Sequence, residues 1–345
     1  MNCISKLGYA LELLDDRLCA AVMSIPEVEL RDIFEIRLRR RRLLTVTTGK
    51  AEYFVSPSGR LSRDPLGAVT VTDTDIEFTF LAAVKHSIQA FEREISQGYV
   101  TAKGGCRVGF CGKAVCTPSG IASVKDISSV NIRIAREVRG CAEDLYKQAF
   151  SGGPVSLLIA GPPASGKTTL LRDLCRLLSE HYTVTLIDER NELAAVSGGI
   201  AYNDVGARTD IYTSYPKLDA VISSVRAMAP QFIVCDEIGD MSDLPAFDYA
   251  LDCGARLIAT CHAGSLEALY RRKLIAELVL RGAFDKAVLL GGDAEIIDLG
   301  GFENEACSKH YADSSRDALG HGYVPRPAAP DFSARADRLD AGVYP

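Results

Sequence analysis

"LLIAGPPASGKTTLLRDLCRLL", residues 157–178, is the stretch on which the fold turns. An apolar strand runs into Gly161, a short loop follows, and a helical pattern begins at Lys167. Gly161, Gly166, Lys167 and Thr168 satisfy G-x-x-x-x-G-K-[ST] in the strand-loop-helix setting that gives the pattern its meaning. The glycines let the backbone turn tightly, so its N–H groups point inward at phosphate oxygens. The helix N-terminus adds partial positive charge. Gly161, Pro162, Pro163, Ala164, Ser165, Gly166, Lys167, Thr168 and Thr169 are therefore expected to cradle ATP. Lys167 is expected on the β/γ phosphates and the Thr168 hydroxyl on Mg²⁺.

Outward from this loop the chain keeps alternating apolar strands with helices. "VSLLIAG", "YTVTLID", "QFIVCDE", "ARLIATC" and "KAVLLGG" read as strands of a buried, mostly parallel sheet. Two of them end in acids. In "PQFIVCDEIGD", Asp236 and Glu237 stand where a strand leaves the core, which is where α/β sheets bind ligands. Asp236 suits the Mg²⁺ shell, and Glu237 suits a base that orients the attacking water. "VTLIDERNELAAVSGG" offers Asp188, Glu189 and Glu192; they read either as helix-capping acids or as rivals to Glu237 for that water. Arg208 and Arg226 are the candidate cations for the phosphate charge that develops in the transition state.

"LIATCHAGS", residues 257–265, carries His262, one of five histidines. Three readings stand: a core histidine, a partner of Cys261 in metal or nucleophile chemistry, or a sensor of the substrate. Neighbours on a strand point to opposite faces, and no further ligand lies at a recognisable spacing, so the pairing with Cys261 is the weakest of the three.

The bulk numbers set the frame. The 345 residues are 47% hydrophobic and 24% charged, with a net charge of −6. That is an ordinary globular composition with no global basic character to draw nucleic acid. The length suggests two domains and a tail. Residues 1–150 read as a smaller α+β domain. There "DIFEIRLRRRRLLTVTTG" alternates Phe34, Ile36 and Leu38 against Glu35, Arg37 and Arg39, giving two strands around an arginine-rich turn. "CRVGFCGKAVC" and "SVNIRIAREV" read as further short strands or turns. Residues 151–300 form the nucleotide-binding domain, and 301–345, with little to bury, a disordered tail. Eleven cysteines without a CxxC pair read as reduced thiols rather than a metal framework. No leader pattern opens the chain and no apolar run approaches 18 residues, so a cytoplasmic protein is expected.

These motifs resemble those of the type II/type IV secretion and pilus motor ATPases within the RecA-like P-loop group. Gly161–Thr169 looks like the Walker A loop, 188–192 the Asp box, Phe232–Glu237 the Walker B strand and 260–264 the His box. Further stretches sharpen the likeness. "EIRLR" (35–39), "GYVTAKGGCRVGFCGKAV" (98–115), "DISSVNIRIAREVRG" (126–140) and "RTDIYTSYPK" (208–217) are similar to the stage III sporulation AA family of endospore-forming bacteria. The resemblance spans about Ile33 to Leu299. It implies an ATP-driven motor, a homo-hexamer at the cytoplasmic face of a membrane-embedded, secretion-like complex. It also implies a nucleotide between the two domains, approached by Arg133 and Arg136. In RecA-like sheets the strand after Walker B lies between the Walker A and Walker B strands. That order would bring Thr260 and His262 beside the γ-phosphate, with His262 near the P-loop and Glu237 as a polar sensor.

The main alternative is a nucleic-acid-dependent RecA-like ATPase, which the Arg37–Arg42 cluster would serve. Only 7% of residues are aromatic and none is tryptophan, which leaves little for a base-stacking platform. A third reading, a scaffold that binds nucleotide without hydrolysis, sits poorly with Lys167, Thr168, Asp236 and Glu237 all being present.

Overall fold

In the computed structural model, which describes residues 3–118, 120–135, 137–291 and 294–299, the alternation at 33–39 forms a strand, but one residue out of step. Helices α1 (Cys3–Leu11), α2 (Asp16–Met23) and α3 (Glu27–Leu30) precede β1 (Ile33–Arg39). A bulge between Ile33 and Glu35 shifts the register against the next strand. Ile33, Ile36 and Leu38 are buried, while Phe34 is only partly so. Ile33 thus takes the core place expected of Phe34, because one extra residue moves every side chain before it to the other face.

The N-terminal unit continues through β2 (Thr45–Thr48), β3 (Glu52–Val55), β4 (Leu61–Ser62), α4 (Asp73–Ala83), α5 (Glu92–Ser96), β5 (Tyr99–Thr101), β6 (Arg107–Thr117) and β7 (Gly120–Arg133). Thr72 and Asp75 close a capping box at the start of α4. The strands form one antiparallel sheet in the order β4-β3-β2-β1-β7-β6-β5. The two stretches expected as short strands or turns are the arms of a single long hairpin, β6 and β7. Its outer half, from Cys111 to Thr117 on β6, is exposed. The arginine-rich turn between β1 and β2 is present, but its arginines are paired. Arg39 lies 3.2 Å from Glu52, and Arg40 and Arg41 lie 3.6 and 2.7 Å from Asp73.

The second unit comprises α6 (Glu143–Ala149), β8 (Leu157–Gly161), α7 (Lys167–Leu178), β9 (Val184–Asp188), β10 (Val196–Ser197), β11 (Ile200–Ala201), β12 (Thr209–Thr213), α8 (Lys217–Ala227), β13 (Phe232–Glu237), α9 (Leu244–Asp252), β14 (Arg256–His262), α10 (Leu266–Tyr270), α11 (Lys273–Leu280), β15 (Lys286–Leu289) and β16 (Glu295–Asp298). Seven strands form one sheet, β12-β9-β13-β14-β8-β15-β16, parallel except for β16. Every residue of β8 and β9 is buried, which explains their continuous apolar reading. Alternate side chains serve two cores. Leu157, Ile159, Phe232, Val234 and Ile258 face α7, and Leu158, Ile233, Cys235, Leu257 and Cys261 face the helices on the other side. Phe232 and Phe247 are fully buried, each contributing about 1.5–3 kcal/mol of apolar transfer.

Helix α6, before the expected boundary at residue 150, packs against α7. Ala142 and Ala149 are buried in the same core as α7. The Ala142 N–H donates to Asp173 Oδ2 at 2.9 Å, and the Phe150 ring lies 6.1 Å from that of Phe232. The break in composition at Ser151–Pro154 marks a loop inside the second unit, and the passage between units falls earlier, at about 134–141. The units touch through Tyr9 edge-on to Tyr202 at 5.3 Å and through the Arg107–Glu192 ion pair. The expected disordered tail, 301–345, lies outside the described residues. Among the described residues no helix is long and apolar enough to cross a membrane.

Candidate nucleotide site

The strand order places β8, which leads into the expected Walker A loop, and β13, which ends in the expected Walker B acids, on either side of β14. His262 is opposite Gly161 across β14 and β8, and Thr260 is opposite Glu237 across β14 and β13. A register shift between Cys235 and Glu237 makes Asp236 the irregular residue, where a bulge re-aims a side chain. All the motifs therefore open on one edge of the sheet.

The P-loop is shaped for phosphate. A Cβ on Gly161 would lie 2.5 Å from Ser165 Oγ and 2.9 Å from the Leu290 carbonyl, so only glycine fits. Gly166 takes φ +88° just before α7, and that helix has no side-chain cap on its first N–H groups. Ser165 Oγ is buried and has no hydrogen-bond partner among the described residues. Uncapped amides and an orphaned hydroxyl around one turn fit an anion with several oxygens. Lys167 is buried and donates to the carbonyls of Gly161 at 2.9 Å and Pro162 at 2.7 Å. Burial lowers its pKa, against the opposing pull of Cys261, Glu237 and Asp236. Thr168 Oγ1 lies 3.5 Å from Asp236 Oδ1. A hydroxyl and one carboxylate beside a phosphate cradle suit Mg²⁺, which keeps waters and phosphate oxygens in its shell.

His262 lies beside the P-loop and Glu237. Its Nδ1 lies 3.1 Å from Lys167 Nζ and its Nε2 3.3 Å from Glu237 Oε1. An ammonium only donates, so Nδ1 accepts and the ring proton of neutral His262 sits on Nε2, facing the carboxylate. Cys261 is fully buried, and burial pushes its thiol up to about 11. It packs as a small apolar residue and takes no part in a Cys–His pair. Thr260 Oγ1 donates to the Asp236 carbonyl.

The acids divide by environment. Asp188 is buried and accepts from the N–H groups of Glu192, Leu193 and Ala194, so it ties down the loop after β9. Burial raises its pKa, and those three bonds oppose the shift. Glu189 Oε2 lies 3.2 Å from Lys217 Nζ, and Glu192 pairs with Arg107 of the other unit. Glu237 lies between His262 and Arg190, whose Nη1 is 3.3 Å from Oε2.

Asp236 is pushed up to about 6 by burial and by the charges of Asp188 and Glu192. The ionised form, which a metal ligand would need, therefore gives way to the acid below about pH 6. Affinity for Mg-nucleotide is expected to fall about tenfold per pH unit below 6. Asp236→Asn should bind more weakly and lack this component, which separates it from the nucleotide's own titration. Parallel pH curves for the two proteins would count against Asp236 as the ligand.

Two expected cations are misplaced. Arg208 precedes Thr209, which pairs with Val184 at the start of β9. It is thus about 13 Å of strand from the carboxylate edge, and it donates to the Glu180 carbonyl at 3.0 Å. Arg226 lies in the last turn of α8, which runs back from that edge, about 14 Å along the helix from Lys217. Neither reaches this chain's own P-loop. Arg190, Lys217 and Arg272 occupy the edge instead. Arg272 bridges the carbonyls of His262 at 3.1 Å and Gly239 at 3.3 Å. Sequence reading missed them because each looks like an ordinary surface charge; only the neighbouring motifs marked their positions. Arg133 lines a cleft of about 410 Å³ between the units, with Arg107, Arg172 and Arg190. Arg136 lies outside the described residues.

A sheet in this order, parallel except for β16, is a RecA-like fold. The chain belongs to the family "Sporulation stage III, protein AA", whose model matches residues 11–309. It is 34% identical over 281 residues to "Stage III sporulation protein AA" of Bacillus subtilis, covering 80% of this chain and 88% of that one. It is 28% identical over 173 residues to "Protein SEEDLING PLASTID DEVELOPMENT 1" of Arabidopsis thaliana, covering 49% of this chain and 24% of that one. Among solved structures, the Legionella pneumophila ATPase DotB aligns with a TM-score of 0.50 at 14% identity, over 84% of this chain and 76% of its own. The pilus retraction motor PilT with bound ADP aligns with a TM-score of 0.50 at 13% identity, over 76% and 77%. At these identities the two structures speak for the fold.

Proposed function

We propose that the chain is an Mg²⁺-dependent ATP-hydrolysing motor that energises assembly of, or transport through, a secretion-like channel during endospore formation. The observation that carries this reading is the meeting of Lys167, Thr168, Asp236, Glu237 and His262 at one sheet edge. In it, the P-loop amides and Lys167 bind the phosphates, and Thr168 and Asp236 hold the metal. Mg²⁺ would supply neutralisation of the charge that builds on the phosphoryl oxygens. Glu237 accepts the proton of the attacking water. Lys167 leaves His262 to reach the phosphates, which frees Nδ1, so His262 senses whether a γ-phosphate is held. Arg133 approaches the nucleotide from the cleft between the units.

The protein works as a ring, a hexamer at the cytoplasmic face of a membrane-embedded partner; support for this is the family and the likeness of fold. Its mass in solution with a slowly hydrolysed ATP analogue tests the ring. Six copies are expected, and a stable monomer at all concentrations would count against it. The pairing of Arg39, Arg40 and Arg41 with acids leaves little free charge for nucleic acid. Turnover is accordingly expected to be indifferent to single-stranded DNA; strong stimulation that fades with salt would favour the nucleic-acid reading.

A further inference from the structure

Lys217 is the first residue of α8 and is almost fully buried, 6% exposed. A cation there meets the positive end of the helix dipole and pays for desolvation as well. Three oxygens compensate it: Asp243 Oδ2 at 2.7 Å, the Glu237 carbonyl at 2.8 Å and Glu189 Oε2 at 3.2 Å. Two of the ammonium donors are used in hydrogen bonds, and Glu189 adds its charge. Burial alone would lower its pKa, but the Asp243 hydrogen bond, with the charges of Asp243 and Glu189, raises it, so Lys217 is charged at neutral pH.

The same Asp243 Oδ2 accepts from the Gly239 N–H at 2.8 Å. Lys217 and Asp243 therefore grip the chain on both sides of Ile238, by the carbonyl before it and the amide after it. Ile238 is itself buried, and its N–H donates to the Thr260 carbonyl at 2.8 Å. Glu237 thus leaves the sheet on a main chain that cannot swing. Through Glu189 the same lysine fixes the residue next to Arg190, which faces the other oxygen of Glu237.

We infer that Lys217 is a positioning residue for Glu237, acting through the Lys217–Asp243 grip on residues 237–239 and touching no nucleotide itself. This rests on the ATPase reading above. Glu237 must be held within a few tenths of an ångström of its working place for proton transfer, whereas the P-loop that binds ATP is built from other elements.

The test uses the full chain as Lys217→Met and as Lys217→Met/Asp243→Asn, with ATP affinity, kcat, thermal stability and amide exchange measured together. Lys217→Met is expected to lower kcat at least tenfold, to change the ATP dissociation constant by no more than about threefold, and to speed exchange of the Gly239 amide while β13 stays protected. The double variant leaves no orphaned buried carboxylate, so it is expected to recover stability but not kcat; it carries the test if the single variant fails to fold. Wild-type kcat in Lys217→Met, or kcat returning in step with stability in the double variant, would overturn the inference. A wild type that binds ATP and never turns it over would overturn the ATPase reading instead, and Gly239 exchange would still judge the grip.

Discussion

Glu237→Gln is expected to keep ATP bound and to slow turnover by about 10²- to 10⁴-fold, the usual contribution of a positioned general base. That corresponds to about 3–5.5 kcal/mol of barrier. The amide preserves the shape of the side chain and an oxygen for the His262 Nε2 proton, so the site should stay assembled. It cannot take a proton from water. The rival carboxylates are engaged elsewhere: Glu189 with Lys217 and Glu192 with Arg107. Single-turnover hydrolysis, measured beside equilibrium ATP binding, separates the two effects. Normal turnover in Glu237→Gln would move the base to Glu189 or Glu192.

Lys167→Ala should fail at the earlier step. Its ammonium is the one buried cation held by the P-loop carbonyls and His262. Losing a charge-assisted bond to phosphate costs about 1.5–3 kcal/mol, so ATP affinity is expected to fall at least tenfold and more where two phosphates share the lysine. Titration with a fluorescent ATP analogue reads this directly. Undiminished binding would mean that the loop amides alone hold the phosphates, and the role given to Lys167 would fall. Contrasting the two variants matters more than either alone, since one removes grip and the other chemistry.

The sheet that carries the site was legible because a buried parallel strand writes itself as an unbroken apolar run, and a P-loop as glycines at fixed spacing. The order β13-β14-β8 could be anticipated only through resemblance, since strand neighbours in a parallel sheet are set by crossovers that leave no local mark. Phe34 was misassigned because a bulge is invisible to strict alternation. Arg208 and Arg226 were misplaced for a related reason: sequence proximity to a loop does not say which end of the sheet that loop serves. Lys217 went unnoticed because a lysine after proline at a helix start reads as solvated. Its burial follows from Asp243 and Glu189, which arrive from two other connections. The packing of α6 against α7 was hidden because Ser151–Pro154 is a strong turn signal, whereas the hydrogen bond of Ala142 to Asp173 spans the turn.

The run of contacts from Lys167 through His262 to Glu237 also works in the opposite direction. Free-energy differences around a closed cycle sum to zero. If a phosphate tightens its hold by drawing Lys167 off His262, then whatever displaces His262 by other means must tighten the phosphate by the same factor. Arg272 ties the end of β14 to Gly239 and follows α10, so in the proposed motor α10 is connected to His262 through main-chain carbonyls. In the motor proposed above, three side chains in line would make the pocket a two-way gauge, with nucleotide state legible at the surface and mechanical load legible at the phosphates.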